Sequence, residues 1–484
     1  MTNTIKRPLP LIWAILPILL LMVLLAYNVL LIFHDDATYG ANQFALLSIG
    51  FVAMIIGVLN KVSVKEMLEQ VYDNIKTTSG AMLILLMVGS LAGTWLISGI
   101  IPTMIYYGLQ LLNPTVFLAV AVIVSAVVSL ITGSSWSTSA TIGIALMGIG
   151  KGLGINEGMI AGAVISGAYF GDKISPMSDT TNLASAVANS GLFNHIRYML
   201  YTTIPSISIT IVLFLILGFF QNTTNELQQT GIVSGIQDAF NINPVLLIIP
   251  VVVIFLIIKK VEPLIALFIG TILGGVAAMI FQPEVLKNLL QSSHTLNIHE
   301  SYKAVMNAII GKVQIVTQDP ILNDLLESRG MGGMLSTIWL IISAMVFGGI
   351  MEAIGALDSI SNAMLKIAKG DFGVFASTTA TCIVFNATVS DQYLSIVVPG
   401  KMYAKAFEEK GLSPVNLSRT LEDSGTVTSV LVPWNTCGAY NAGVLSVPTV
   451  EYLPFAFFNL ISPVMTLIFA GFKIKIARII ESKE

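Results

Sequence analysis

An all-α polytopic membrane protein, with about 10–12 transmembrane helices in two related halves, is what this sequence predicts, and three observations carry that reading. Of 484 residues, 55% are hydrophobic and 11% are charged, and mean hydropathy is +0.84; an average soluble domain carries about 25% charged residues. Apolar runs of about 17–25 residues, long enough to cross a bilayer, recur along the whole chain. Two polar, proline-containing segments, Gly171–Asn182 and Leu421–Thr436, interrupt them at related places in the two halves. Carboxylates, hydroxyls and amides at membrane depth are costly and mark a transported ion or substrate. The chain therefore reads as a transporter embedded in a lipid bilayer.

Candidate spans fall at 10–33, 42–59, 81–101, 115–132, 158–175, 198–220, 243–258, 262–281, 334–354, 372–389, 415–433 and 452–474. The first follows Lys6 and Arg7, yet it is too long for a signal peptide and lacks a small-residue cleavage site before His34-Asp35-Asp36. It is expected to remain as a span, with the basic N-terminus in the cytoplasm by the positive-inside tendency. Amphipathic pieces at 102–113 and 356–369 read as interfacial, and the polar stretches Gln221–Asn241 and Pro283–Gly330 read as loops.

Several classes are excluded. A net charge of −3 with no basic stripe gives a nucleic-acid partner nothing to bind. Cys382 and Cys437 are too few for a disulfide framework. No His/Cys cluster offers a transition-metal site, and Gly148–Gly154 lacks the spacing of a phosphate-binding loop. The four histidines sit at loop or interfacial positions, so no nucleophile–base set supports an enzyme. No cofactor is expected.

The halves match when shifted. Pro176 and Pro433 are 257 residues apart, as are Gly154 and Gly411, which sets Ser166 against Asp423, Ser178 against Asn435 and Asp179 against Thr436. Upstream, Ser137 and Ser390 are 253 apart, which sets Thr138 against Asp391, so a gap of about four residues is expected between the registers. Polar, Gly/Pro-broken segments in corresponding positions point to a transporter built from repeats, with its site between them. The expected division is 1–79 for the first scaffold spans, 80–220 for the rest of the first repeat, 221–330 for a linker and further scaffold spans, and 331–484 for the rest of the second repeat.

Three elements carry the chemistry. The hydroxyl-rich run with Ser134, Ser135, Ser137 and Thr138, and its counterpart Phe385–Tyr393 with Asp391, are too polar for lipid contact and are expected to be re-entrant tips or helix breaks facing a cavity. In the second element Pro176 removes a ladder hydrogen bond and breaks a helix, freeing backbone groups beside Asp172, Ser175, Ser178, Asp179, Thr180 and Asn182. The third contains Asp423, Ser424 and Thr426, followed by Asn435 and Thr436. Sodium favours oxygen ligands, as other hard cations do, and Asp179, Ser178 and Thr180 are the expected Na⁺ ligands. Desolvation favours the neutral form of a carboxyl group, so one acid can hold a proton or, without it, a sodium ion. Competition for a shared site couples the two fluxes. Lys173 is expected to pair with Asp172, and Glu262, His195 and Arg197 to mark span boundaries.

The runs GDKISPMSDTTNLA (171–184), LFNHIRYMLYTTIP (192–205) and LEDSGTVTSVLVPWNTCGAY (421–440) resemble the NhaC family of sodium/proton antiporters, and the likeness covers about Met82 to Phe472. That resemblance implies a multi-pass secondary transporter of the bacterial plasma membrane, with inverted repeats, re-entrant hairpins and a transport domain moving against a homodimeric scaffold. The family also includes members that exchange malate and protons for lactate and sodium. The expected function is therefore Na⁺ extrusion in exchange for H⁺ by alternating access. The alternatives are a Na⁺- and H⁺-coupled exchanger of small carboxylates and, further off, an ion channel. For a bound carboxylate the core offers few cations beyond Lys173 and Lys401.

Overall fold

The computed structural model describes residues 9–33, 37, 40–220, 226–317 and 320–479. Lys6, Arg7 and His34–Asp36, which carry the expected orientation of the N-terminus, lie outside the described residues, as does the start of the Gln221–Asn241 loop.

In a bilayer every backbone N–H and C=O needs a partner within the chain, so an apolar sequence of this kind resolves into helices. They run in the order α1 Leu11–Tyr27, α2 Ala41–Leu59, α3 Val64–Ile97, α4 Ile100–Leu111, α5 Pro114–Thr132, α6 Ser135–Thr138, α7 Ile144–Gly152, α8 Glu157–Ile174, α9 Asp179–Val187 and α10 Leu192–Phe220. After them come α11 Glu226–Ala239, α12 Ile248–Ile258, α13 Pro263–Phe281, α14 Pro283–Leu289, α15 Ile298–Ile310, α16 Pro320–Leu325, α17 Gly330–Gly333 and α18 Leu335–Ala353. The chain continues through α19 Ala356–Ile367, α20 Gly370–Thr388, α21 Leu394–Glu409, α22 Pro414–Leu421, α23 Thr436–Leu445, α24 Thr449–Tyr452 and α25 Phe457–Gly471. A two-residue antiparallel pair, Val313–Gln314 with Glu327–Ser328, closes the loop before α17.

Among the described residues six helices are long and apolar enough to cross a membrane, and up to eight if two bent pairs, one of 92° and one of 54°, each count as one span. Their outer faces carry large apolar side chains such as Phe44, Phe51 and Phe219, 66–73% exposed. Apolar exposure on that scale marks a lipid-facing belt. The fold is thus all-helical and polytopic.

From α3 and from α18 onward the two halves present the same order of elements. Left-handed residues fall at Gly99, Gly133, Gly154 and Asn189 in the first half and at Gly355, Ser390, Gly411 and Ser446 in the second, each pair 256 or 257 residues apart. The expected four-residue gap is absent. Gly133 and Ser390 both end the helix entering a hairpin tip, so Ser134 stands opposite Asp391, and the Ser137/Ser390 match was a coincidence of residue type. Helices α3 and α18, which end at equivalent positions, pack antiparallel: Val71 lies against Gly349, while Gly89 lies against Gly330 and Met334. The expected boundary at 79/80 falls inside α3, a continuous helix of 34 residues.

Two small residues decide how the first hairpin stands beside the broken helix. Gly167 and Gly171 of α8 face the Val122 and Ala126 carbonyls of α5, so close that an added Cβ would collide with both. This small-xxx-small stripe lets α5 and α8 run side by side, as in other membrane helix pairs. Both therefore end at one depth, where Gly133 meets Met177.

Candidate ion-binding site

The first break has local causes. Ser175 precedes Pro176 and is extended, with φ −78° and ψ 128°, because the proline ring disfavours the helical region for the residue before it. Its hydroxyl donates to the Leu130 carbonyl at 2.9 Å, tying the break to α5. Ser178 then caps α9, its Oγ accepting the Thr181 N–H at 3.4 Å and lying 3.0 Å from the Thr180 hydroxyl. Asp179, the first residue of α9, is exposed at the helix's positive end. Asn182 donates back to the Pro176 and Ser178 carbonyls at 3.0 and 2.7 Å, which holds the break's shape.

The second half repeats the device. Val432 is extended before Pro433, and Asn435 caps α23 by accepting the Cys437 N–H at 3.0 Å. Asn435 also donates to the Asn386 carbonyl at 3.0 Å, and the Thr436 N–H donates to the Ser390 carbonyl at 2.9 Å, joining break to tip. At the tips themselves, Ser134 accepts the Ser137 N–H at 3.2 Å and Asp391 accepts the Leu394 N–H at 2.9 Å. Equivalent positions thus do the same capping, one with a hydroxyl and one with a carboxylate. Thr138 bonds back to the Ser134 carbonyl at 2.9 Å and serves its own helix.

Between the tips, the first break and the helices α3, α12 and α13 lies a cavity of about 300 Å³. The first tip contributes Gly133–Ser137, the first break Asp172 and Ser178–Thr180, the second tip Asp391–Tyr393, and the second break Thr436. Thr77 of α3 and Glu262 before α13 form its exposed rim. At the base, Asp172 is 6% exposed and accepts the Ser135 hydroxyl at 2.7 Å, a bond from broken helix to hairpin tip. Asp391 is 5% exposed. Trp136 and Tyr440 close the far side as a stacked pair, centroids 4.2 Å apart. Among the described residues four acids and no Lys, Arg or His line this space. Among the described residues no three His, Cys, Asp or Glu side chains gather closely enough to hold a metal ion by themselves. A sodium ion here would draw on one carboxylate at a time plus hydroxyls and carbonyls.

Asp423, Ser424 and Thr426 do not reach the cavity. Asp423 is fully buried elsewhere and pairs with Lys173, which corrects the expected Lys173–Asp172 pair. It also accepts hydroxyls from Thr202 at 2.9 Å, Ser462 at 3.1 Å and Thr466. Lys173 donates to the Ser462 hydroxyl at 3.1 Å and sits 5.6 Å from the Phe458 ring centroid. Ser424 donates to the Thr420 carbonyl, and the Thr426 hydroxyl faces the Glu422 carboxyl of its own turn. A π-helical turn, Glu422–Thr426, sets these side chains' directions, and nothing in residue spacing announces it. Ser175, Asn182 and Asn435 act on backbone groups at the breaks and do not line the cavity.

Sequence reasoning missed Glu262, read as a loop marker, and the aromatic pair Trp136–Tyr440, whose only sequence signal was its position beside each polar motif. It also placed His195 at an interface, whereas the ring is fully buried with Nδ1 2.8 Å from the Ser418 hydroxyl. Lys401 is exposed away from the lining.

A many-helix membrane protein whose interrupted helices meet at an acid-lined cavity belongs to the secondary transporters. A family model described as the Na⁺/H⁺ antiporter family matches residues 167–474, and the chain belongs to that family. It is 33% identical to the Na⁺/H⁺ antiporter NhaC of Alkalihalophilus pseudofirmus, over 86% of this chain and 87% of that protein. It is 36% identical to the malate-2H⁺/Na⁺-lactate antiporter of Bacillus subtilis, over 88% of each. It is also 33% identical to the arginine/ornithine antiporter ArcD of Halobacterium salinarum, over 95% of this chain and 92% of that one. The relatives are antiporters, and the chain is a multi-pass membrane antiporter rather than an enzyme.

Proposed function

We propose that this protein exchanges Na⁺ for H⁺ across a bacterial plasma membrane by alternating access. The observation that carries the reading is the cavity: interrupted segments of both halves converge on it, and its lining bears acids without a basic side chain. Asp179, Ser178 and Thr180 are the proposed Na⁺ ligands, with Asp172 and Asp391 supplying charge from the two halves. Equal element order and the antiparallel packing of α3 on α18 support an inverted repeat, the arrangement in which such a site is presented alternately to either side. The scaffold is proposed to include all of α3, with α13 and α18, and to hold the hairpins and breaks as a moving unit.

Lys61 and Lys65 flank the start of α3, and Lys259 and Lys260 lie between α12 and α13, just before Glu262 of the cavity's rim. By the positive-inside tendency this supports a cavity open to the cytoplasm and a cytoplasmic N-terminus. A homodimer is proposed on the family resemblance alone.

A small-carboxylate cargo would meet four acids and no cation among the described residues of the cavity lining, since Lys173 is committed to Asp423. A cationic amino acid fits the lining's charge better, and the ArcD relative makes it the second reading. Proteoliposomes holding a pH-sensitive dye separate the three. The Na⁺/H⁺ reading expects a Na⁺ pulse alone to move protons, and Asp179→Asn to cut that movement at least about tenfold, ~1.4 kcal/mol. Proton movement that needs malate or lactate, or that answers arginine and not Na⁺, would replace it.

A further inference from the structure

Glu422 is fully buried, and neither carboxylate oxygen makes a well-formed hydrogen bond among the described residues, the Thr426 hydroxyl of its own turn facing it beyond that geometry. It opens the π-helical turn Glu422–Thr426, and π-turns inside helices recur at functional sites. The adjacent Asp423 accounts for its own charge through Lys173 and three hydroxyls. Arg419, three residues earlier, turns its guanidinium away onto the Tyr198 and Phe469 rings, 4.6 and 5.8 Å from their centroids.

The turn packs against α9, α20, α21, α22 and α25. The charged groups acting on the Glu422 carboxyl are Lys173 and Asp172 of α8 and Asp423 of its own turn. From α20, Cys382 lies beside Ser424, and Asp371 is paired with Arg478; Lys401 of α21 is exposed. An unpaired carboxylate charge at such a place costs several kcal/mol, so the site calls for a positive counterpart. One carboxyl and the Thr426 hydroxyl that faces it are too few oxygens to replace a metal ion's hydration shell. They suffice for a proton.

We propose that Glu422 is the proton-carrying carboxyl of the exchange, set behind the cavity and coupled to it electrostatically through Asp172. The proposal rests on the Na⁺/H⁺ reading. The carboxylate takes up one H⁺ that enters from cavity water, becomes the neutral acid, and gives the H⁺ up on the other side. A Na⁺ held beside Asp172 opposes that protonation by charge repulsion, so the two cations occupy the protein in turn.

The test pairs proton flux in proteoliposomes with infrared difference spectra of the purified protein. Wild type is expected to lose a protonated-carboxyl C=O band when Na⁺ is added. E422Q is expected to lack that change and to lose Na⁺-driven proton movement at least tenfold, with an unaltered thermal midpoint. E422D, which keeps a carboxyl group, is expected to retain the band and measurable flux, and it carries the test if E422Q does not fold. Wild-type flux with an unchanged infrared response in E422Q, or loss of the band in a folded E422D, would overturn the assignment. If wild type itself moves no protons with Na⁺, the exchange reading fails. The infrared response to a pH jump then decides on Glu422: its absence in E422Q supports the assignment, and its persistence there refutes it.

Discussion

Asp172 and Asp423 are both buried acids of the interrupted helices, yet their surroundings assign them different work. Asp423 is saturated by a lysine and three hydroxyls, whereas Asp172 takes one hydroxyl and keeps a face toward the cavity. Removing one partner of a buried ion pair strands the other's charge, at roughly 3–5 kcal/mol. Lys173→Met is therefore expected to lower the thermal midpoint in detergent sharply, and Lys173→Met with Asp423→Leu to recover most of it. An unchanged midpoint in the single variant would show that the pair holds nothing together. That acids lie at depth was legible from the sequence, because Asp172, Asp391 and Asp423 each sit in an apolar run. Which of them faces water was not, since the π-turn rotates Asp423 toward Lys173 and a loop acid, Glu262, folds back onto the rim.

The elements were largely readable where one residue type forces the backbone. Pro176 and Pro433 end their helices as expected, and the hydroxyl-rich runs fold as tips. The register at the hairpin tips alone was misjudged by four residues because capping conserves position rather than side chain: Ser134 and Asp391 do one job with different groups. Packing of α5 on α8 depended on glycines that carry no polar signal. Gly167→Leu is expected to drive these helices apart, since its Cβ would strike the Val122 carbonyl. Overpacking of this kind costs roughly 1–3 kcal/mol or more, and here it would also shift the Ser135–Asp172 bond. Expression and thermal midpoint of the variant check it; a stable, fully active Gly167→Leu protein would mean the close approach is not needed.

At the scale of the whole molecule, repetition turns two weak features into one site. Each half alone provides a tip and a break, but only together do they enclose a cavity whose acids come from both, Asp172 and Asp179 from the first and Asp391 from the second. The apolar runs made the membrane architecture plain, whereas the meeting of the halves required long-range packing, such as Tyr440 on Trp136 and α3 on α18. The most direct measurement is uptake of radioactive Na⁺ into proteoliposomes driven by an imposed pH gradient, comparing wild type with Asp172→Asn and Asp391→Asn at equal thermal midpoints. The shared site requires robust uptake by wild type and background uptake by each single variant. Wild-type uptake by a folded Asp391→Asn protein would contradict it, because the second half would then take no part in holding the ion.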